Sequence, residues 1–233
     1  MITTVLFDLD DTLYDEVDFC RSGYRAVAAF LSGVPNLTAS PSAEEIFAAF
    51  WREFEKGNRD KVFDSALAAL GVAYEADTID HLVRIYREHR PDITLPTESR
   101  EILDALQGQY ALGLLTDGFL PTQRLKVEAL GIGHYFKHIC YTEELGREAW
   151  KPSTKGFKYL LKKFRAKATD CVYVADNAAK DFIGPNALGM ATIQLIRPNR
   201  VFRAAPSGPE AEPGQIIASL SQLPAALKRL GGK

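Results

Sequence analysis

The chain opens on a short unbroken apolar run, Ile2 to Phe7 (ITTVLF), rich in β-branched residues and without alternation. That pattern predicts a strand buried on both faces of a parallel sheet. From Val17 the spacing changes. Val17, Cys20, Tyr24, Val27 and Leu31 step by three and four, which is one face of a helix. Ser42 with Glu45 reads as a capping box, opening a second helix whose apolar residues Ile46, Phe47, Phe50, Trp51 and Phe54 keep one phase. Val62, Phe63, Ala66, Leu67 and Leu70, stopped by Gly71, predict a third, and Ile79, Leu82, Val83 and Tyr86 a fourth. Pro91 and Pro96 bracket a linker, PDITLP, after which the pattern alternates.

The alternation runs helix, strand, helix, strand. A helix over 98–107 precedes the strand 111–115 (ALGLL), and a helix opened by Pro121 and closed by Gly131 precedes the strand 138–141 (HICY). A helix over 156–164, the strand 171–175 (CVYVA), a helix ending at Gly189 and the strand 191–196 follow. The Pro- and Gly-rich stretch 198–214 reads as a surface excursion, and 216–230 as a last short strand and helix. Repeated βα units predict a doubly wound α/β core with a parallel sheet, built from residues 1–14 and 96–233. The helical stretch 15–95 is an insertion within it.

Composition narrows this picture. At 233 residues, 46% hydrophobic and 25% charged, the chain is an ordinary globular sequence. The uncharged stretch Phe182 to Ile196 is interrupted by Gly184, Pro185, Asn186 and Gly189, short of the roughly 18 apolar residues a spanning helix needs. Asp8 and Asp10 stand where the apolar core of a secretory leader would lie. Cys20, Cys140 and Cys171 are odd in number and lack CxxC spacing, so neither a disulfide framework nor a zinc site is expected, and the cytoplasm is the expected setting. The net charge of −2 gives no electrostatic footprint for nucleic acid or anionic membrane. Any anionic ligand must therefore be caught locally, and the insertion, with 9 basic against 14 acidic residues, disfavours long polyanions as substrates.

Open parallel sheets bind ligands at the carboxyl ends of their strands. After the first strand come Asp8, Asp10 and Thr12; after ALGLL, Thr116-Asp117-Gly118; after HICY and its loop, Lys151-Pro152; after CVYVA, Asp176 and Asp181. Singly, each has an ordinary explanation as a turn former, helix cap or surface cation. Together, in this order and each at the same end of a strand, they predict a site.

These segments, FDLDDTLYDE at 7–16, LLTDG at 114–118, KP at 151–152 and VADNAAKDF at 174–182, resemble the four signature motifs of the haloacid dehalogenase (HAD) superfamily. One departure is Ala175, where the family usually has Gly. The resemblance implies a Rossmann-like core and an inserted helical-bundle cap of the C1 type. It further implies a Mg²⁺-dependent phosphatase of small phosphorylated metabolites such as sugar phosphates, sialic-acid-type phosphates or nucleoside monophosphates. Asp8 would be the nucleophile, forming an aspartyl-phosphate. Asp10, two along an extended segment and therefore on the same side, would protonate the leaving alcohol and later activate water. Asp8, Asp176 and the backbone carbonyl of Asp10 would ligate the metal. Thr116, Lys151 and the backbone N–H groups of Asp117 and Gly118 would bind the phosphoryl oxygens, and Asp181 would act through water or hold Lys151.

A phosphomutase of the same superfamily, or a HAD-like module that binds without turnover, stands beside that expectation. Dehalogenases displace halide, which needs no proton, so Asp10 favours phosphate chemistry. In the insertion, Lys56-Gly57-Asn58-Arg59 is either a substrate-contacting loop or an ordinary helix–helix turn, and Tyr14, Asp15 and Glu16 begin the flap. Phe47, Trp51 and Phe54 recur at helical spacing and predict bundle core. Whether the protein is a monomer or a homodimer stays open.

Overall fold

The computed structural model describes residues 1–35, 40–75 and 77–231. The chain forms two compact units, Met1–Val17 with Thr94–Lys233, and Asp18–Ile93. After β1 (Thr4–Phe7) come the helices α1 (Glu16–Ser32), α2 (Ala43–Glu55), α3 (Val62–Ala69) and α4 (Thr78–Glu88), which make up most of the second unit. The first unit then continues with α5 (Thr97–Leu106), β2 (Ala111–Thr116), α6 (Thr122–Leu130), β3 (His138–Tyr141), α7 (Lys155–Phe164) and β4 (Cys171–Ala175). It closes with α8 (Ile183–Ala187), β5 (Ala191–Leu195), β6 (Gln215–Ile217) and α9 (Leu223–Gly231).

The six strands form one sheet in the order β3-β2-β1-β4-β5-β6, and every pairing is parallel. The run Thr4 to Phe7 is buried at every position, as its lack of alternation requires of a central strand covered on both faces. β1 pairs with β2 on one side and β4 on the other, so the winding of the chain reverses beside it. That reversal opens the crevice in which such sheets bind ligands. Below it Leu6, Leu115, Phe157, Leu160, Tyr173 and Phe182 pack as a buried core. At about 1.5–3 kcal/mol for each large side chain removed from water, such clusters dominate the stability that holds the strand ends in register.

In the helical unit the capping box is formed. The Ser42 hydroxyl accepts from the Glu45 backbone, and the Glu45 carboxylate accepts from the Ser42 backbone at 2.8 Å. Tyr24, Phe50, Phe63 and Tyr86 make a cluster of mostly edge-to-face rings. Of the three aromatic residues expected in the bundle core, Phe54 is buried, but Phe47 and Trp51 are half-buried and stack on the surface of α2. The Arg21 and Arg25 guanidiniums lie over Trp51 and Phe47 at 4.8 and 5.3 Å from the ring centres. Cation–π contact lets a large ring stay at the boundary, which periodicity by itself does not reveal. The Lys56–Arg59 segment is occupied within the unit: Lys56 pairs with Glu53 at 2.6 Å, Asn58 donates to Glu53 and Ser65, and Arg59 stacks on Phe54. These contacts match an ordinary turn.

The predicted helix before Gly189 is only five residues long, because Gly184 and Pro185 fall inside it. Among the described residues no helix is long and apolar enough to cross a membrane.

Candidate active site

Each carboxyl end of the central strands delivers one piece of the site. Asp8, the first residue beyond β1, is 5% exposed, and its backbone N–H donates to the Val174 carbonyl of β4 at 2.9 Å. The Lys151 ammonium, with a side chain 1% exposed, lies 2.7 Å from Asp8 Oδ1, 2.9 Å from Asp181 Oδ1 and 3.1 Å from the Tyr173 hydroxyl. Asp176, at the end of β4, is also buried. Oxygen atoms of Asp8, Asp176 and Asp181 lie within 4.8 Å of one another. A cleft of about 120 Å³ runs over this cluster, and Asp10, Asp117, Trp150, Asn177, Lys180 and Phe202 are among its walls.

The loop after Asp8 is held tightly. Asp11 adopts a left-handed conformation, φ 51°, which Asp tolerates better than most residues because its short side chain bonds locally. Its carboxylate accepts from the backbone N–H of Glu16 at 2.8 Å and of Val201 at 2.6 Å. Arg197 donates to the Thr12 carbonyl from two of its nitrogens, and Ser99 donates to the Leu13 carbonyl at 2.6 Å. Thus Asp10 sits on a loop fixed from both the β5 and the α5 sides.

The sequence-predicted residues are brought together, and their side chains have further partners. Thr116 is buried, and its Oγ1 accepts from Gln123 Nε2 at 2.5 Å. The Asp117 carboxylate accepts from the Thr142 hydroxyl at 2.8 Å, from the Lys151 backbone N–H at 3.0 Å and from Lys180 at 3.4 Å, and so anchors the loop that carries Lys151. Asp181 Oδ2 accepts from the Asn177 backbone at 2.9 Å while Oδ1 faces Lys151. Gly118 has φ 143°, and a Cβ there would come within 2.8 Å of Gln123. Only glycine lets that side chain pass.

Sequence reasoning singled out Tyr14 as part of the flap but missed the two α6 side chains beside Asp10, Gln123 and Lys126. Asp10 Oδ1 accepts from the Tyr14 hydroxyl at 2.5 Å and from Lys126 Nζ at 2.7 Å, and Oδ2 accepts from Gln123 Nε2 at 2.9 Å. Lys126 also faces Glu16 at 3.6 Å. The available signal was on α6, where Gln123 and Lys126 share the inward phase of Val127 and Leu130. A polar residue on a buried stripe needs a buried partner.

Charge is unevenly shared. Burial, with the neighbouring Asp181 charge, pushes Asp8 up to about 7 in spite of Lys151. Burial, Asp181 and Asp8 push Asp176 up to about 9, and burial and Asp10 push Glu16 up to about 8. Burial also works against ionisation of Asp10, but the charge and hydrogen bond of Lys126, with Tyr14 and Gln123, hold it below the usual carboxylate range. Lys151 is held well above its ordinary value: burial opposes its charge, and Asp181 and Asp8 more than restore it. Three carboxylates crowded together, with one buried ammonium against two of them, resist ionising side by side, and an all-oxygen donor set suits a hard divalent cation such as magnesium.

Residues 2–189 match the family model of the haloacid dehalogenase-like hydrolases. The chain belongs to that family. Among its HAD relatives, a glyceraldehyde 3-phosphate phosphatase of Methanopyrus kandleri is 30% identical over 84% of this chain and 85% of its own. A phosphoserine phosphatase of Thermus thermophilus is 25% identical over 94% of this chain and 96% of its own. Among solved HAD structures, the magnesium-bound putative hydrolase YfnB of Bacillus subtilis superposes with a TM-score of 0.67 at 25% identity, covering 97% of this chain and 98% of that one.

Proposed function

We propose that this protein is a magnesium-dependent phosphatase of small phosphorylated metabolites that works through an aspartyl-phosphate on Asp8. The observation that carries the reading is the buried cluster of Asp8, Asp176 and Asp181, in which Asp8 and Asp181 share the Lys151 ammonium, with Asp10 two residues from Asp8. Relatives named phosphatases of glyceraldehyde 3-phosphate and of phosphoserine support a short phosphorylated substrate.

In the first half-reaction Asp8 attacks phosphorus, the ester P–O bond breaks, and Asp10 gives its proton to the departing oxygen. In the second, Asp10 takes a proton from water as that water attacks phosphorus, and cleavage of the Asp8–phosphorus bond releases phosphate. The Lys126 pair favours the ionised, proton-accepting form of Asp10; the charge of an arriving phosphate dianion raises its affinity for the proton it must donate first. Thr116 accepts from Gln123, so its own hydroxyl hydrogen can serve a phosphoryl oxygen, alongside Lys151 and the backbone N–H groups of Asp117 and Gly118. Magnesium, held by Asp8, Asp176 and the Asp10 carbonyl, would offset the repulsion between the Asp8 carboxylate and the phosphate. Asp181 holds Lys151.

Residues 1–14 and 96–233 form the catalytic core in this reading. Residues 15–95 are the cap in the same reading. Release of phosphate from p-nitrophenyl phosphate with Mg²⁺, abolished in Asp8→Asn, is the expected result. Full activity of that variant refutes the assignment.

A further inference from the structure

We propose that Gln123 and Lys126 are positioning residues that aim Asp10 at the leaving oxygen, with Gln123 tying this acid to the phosphate-binding hydroxyl of Thr116. The inference rests on the reading of Asp10 as the general acid and extends it to a helix that carries no part of the signature motifs.

Asp10 lies on the loop beyond β1, outside the sheet ladder, so its carboxylate must be fixed by side chains. Two of its donors come from α6, Gln123 to Oδ2 at 2.9 Å and Lys126 to Oδ1 at 2.7 Å. They are three residues apart and therefore neighbours along one helix face. Both are 2% exposed. Burying an ammonium or an amide is costly unless it is paired, so this arrangement differs in kind from a surface ion pair.

The Gln123 amide nitrogen has two hydrogens and two partners, Asp10 Oδ2 and Thr116 Oγ1 at 2.5 Å. Its orientation follows from chemistry, since the reverse would set the amide oxygen against an ionised carboxylate. One amide thus fixes the distance between the group that protonates the leaving oxygen and a group that holds the phosphoryl oxygens. Gly118 leaves room for it to do so. Lys126 fixes the other carboxylate oxygen, and its second carboxylate neighbour, Glu16, steadies the ammonium.

Aim matters only where a proton must be delivered. The p-nitrophenolate group departs without one, whereas the alkoxide of glycerol 3-phosphate does not. General acid catalysis contributes about 10²–10⁴ in rate, and kcat/KM reports steps only through phosphoryl transfer to the enzyme. For Gln123→Leu and Lys126→Met we expect kcat/KM to fall at least about tenfold further with glycerol 3-phosphate than with p-nitrophenyl phosphate. A merely structural role lowers both alike. Equal losses on the two substrates, or no loss on either, overturn the proposal. Thermal melts accompany both variants; if Lys126→Met does not fold, Gln123→Leu, which exchanges one neutral side chain for another, decides. Turnover by Asp8→Asn in the same assay would instead overturn the assignment of Asp8 as nucleophile beneath it.

Discussion

Lys151→Met tests whether the carboxylate cluster depends on a single cation. Met keeps most of the aliphatic stem, so packing is nearly preserved and the change is electrostatic. Lys151 is 2.7 Å from Asp8 and 2.9 Å from Asp181, with a side chain 1% exposed. Removing one partner of such a buried pair costs about 3–5 kcal/mol, because the carboxylates left behind are charged and dry. The penalty depends on pH. Asp8 already stands at about 7 against an ordinary 3.8, and Lys151 is what pulls it down, so the variant raises it further. A group raised in the folded state contributes stability that is complete below its unfolded pKa and lost as pH rises through its folded one. The difference between variant and wild type is therefore largest at pH 8 and shrinks toward pH 5.5, by about 1.4 kcal/mol for each unit over which Asp8 is protonated in the variant alone. Urea denaturation of metal-free protein at both pH values measures it. Equal stability at pH 8, or a loss that grows on acidification, would refute the reasoning.

Chelation of divalent cations should abolish phosphate release and Mg²⁺ should restore it, with a melting temperature that climbs with Mg²⁺ in the wild type and not in Asp176→Asn. Gly118→Ala, at φ 143° and 2.8 Å from Gln123, should cost about 1–3 kcal/mol in chemical denaturation and also lower turnover. The thiols should react slowly in native protein at pH 8: burial pushes Cys140 up to about 12 and Cys171 up to about 11, so the reactive thiolate forms only as pH climbs toward those values. Denaturant should release three reactive equivalents, one for each cysteine, and rapid native labelling of all three would contradict the packing.

The strands and the residues after them were legible because a strand buried on both faces is an uninterrupted apolar run and a parallel sheet aligns its carboxyl ends. Asp8, Thr116, Lys151 and Asp176 could be read from that regularity together with the motifs. Gln123 and Lys126 were signalled only by sharing the inward phase of Val127 and Leu130, and nothing local says what such a buried polar group faces. Their partner is 113 and 116 residues away in sequence. Phe47 and Trp51 failed for a related reason: helical spacing marks a face but not its depth, and the arginines that let both rings remain half-buried sit on another helix. Asp117 looked like a backbone donor, yet its side chain is engaged with the loop that carries Lys151.

The order in which the sheet is wound also sets when the protein can begin to work. Asp8 is made well ahead of its partners: the ammonium that accompanies it lies 143 positions later and Asp181 thirty beyond that. Contacts of such separation form late and slowly, because a long loop must close before they repay the cost. A chain still emerging from the ribosome carries Asp8, the proposed nucleophile, without the groups that surround it. Assembly of the cluster therefore reports whether the central strands have all been laid down, and a fragment ending before Lys151 lacks the ammonium and both later carboxylates.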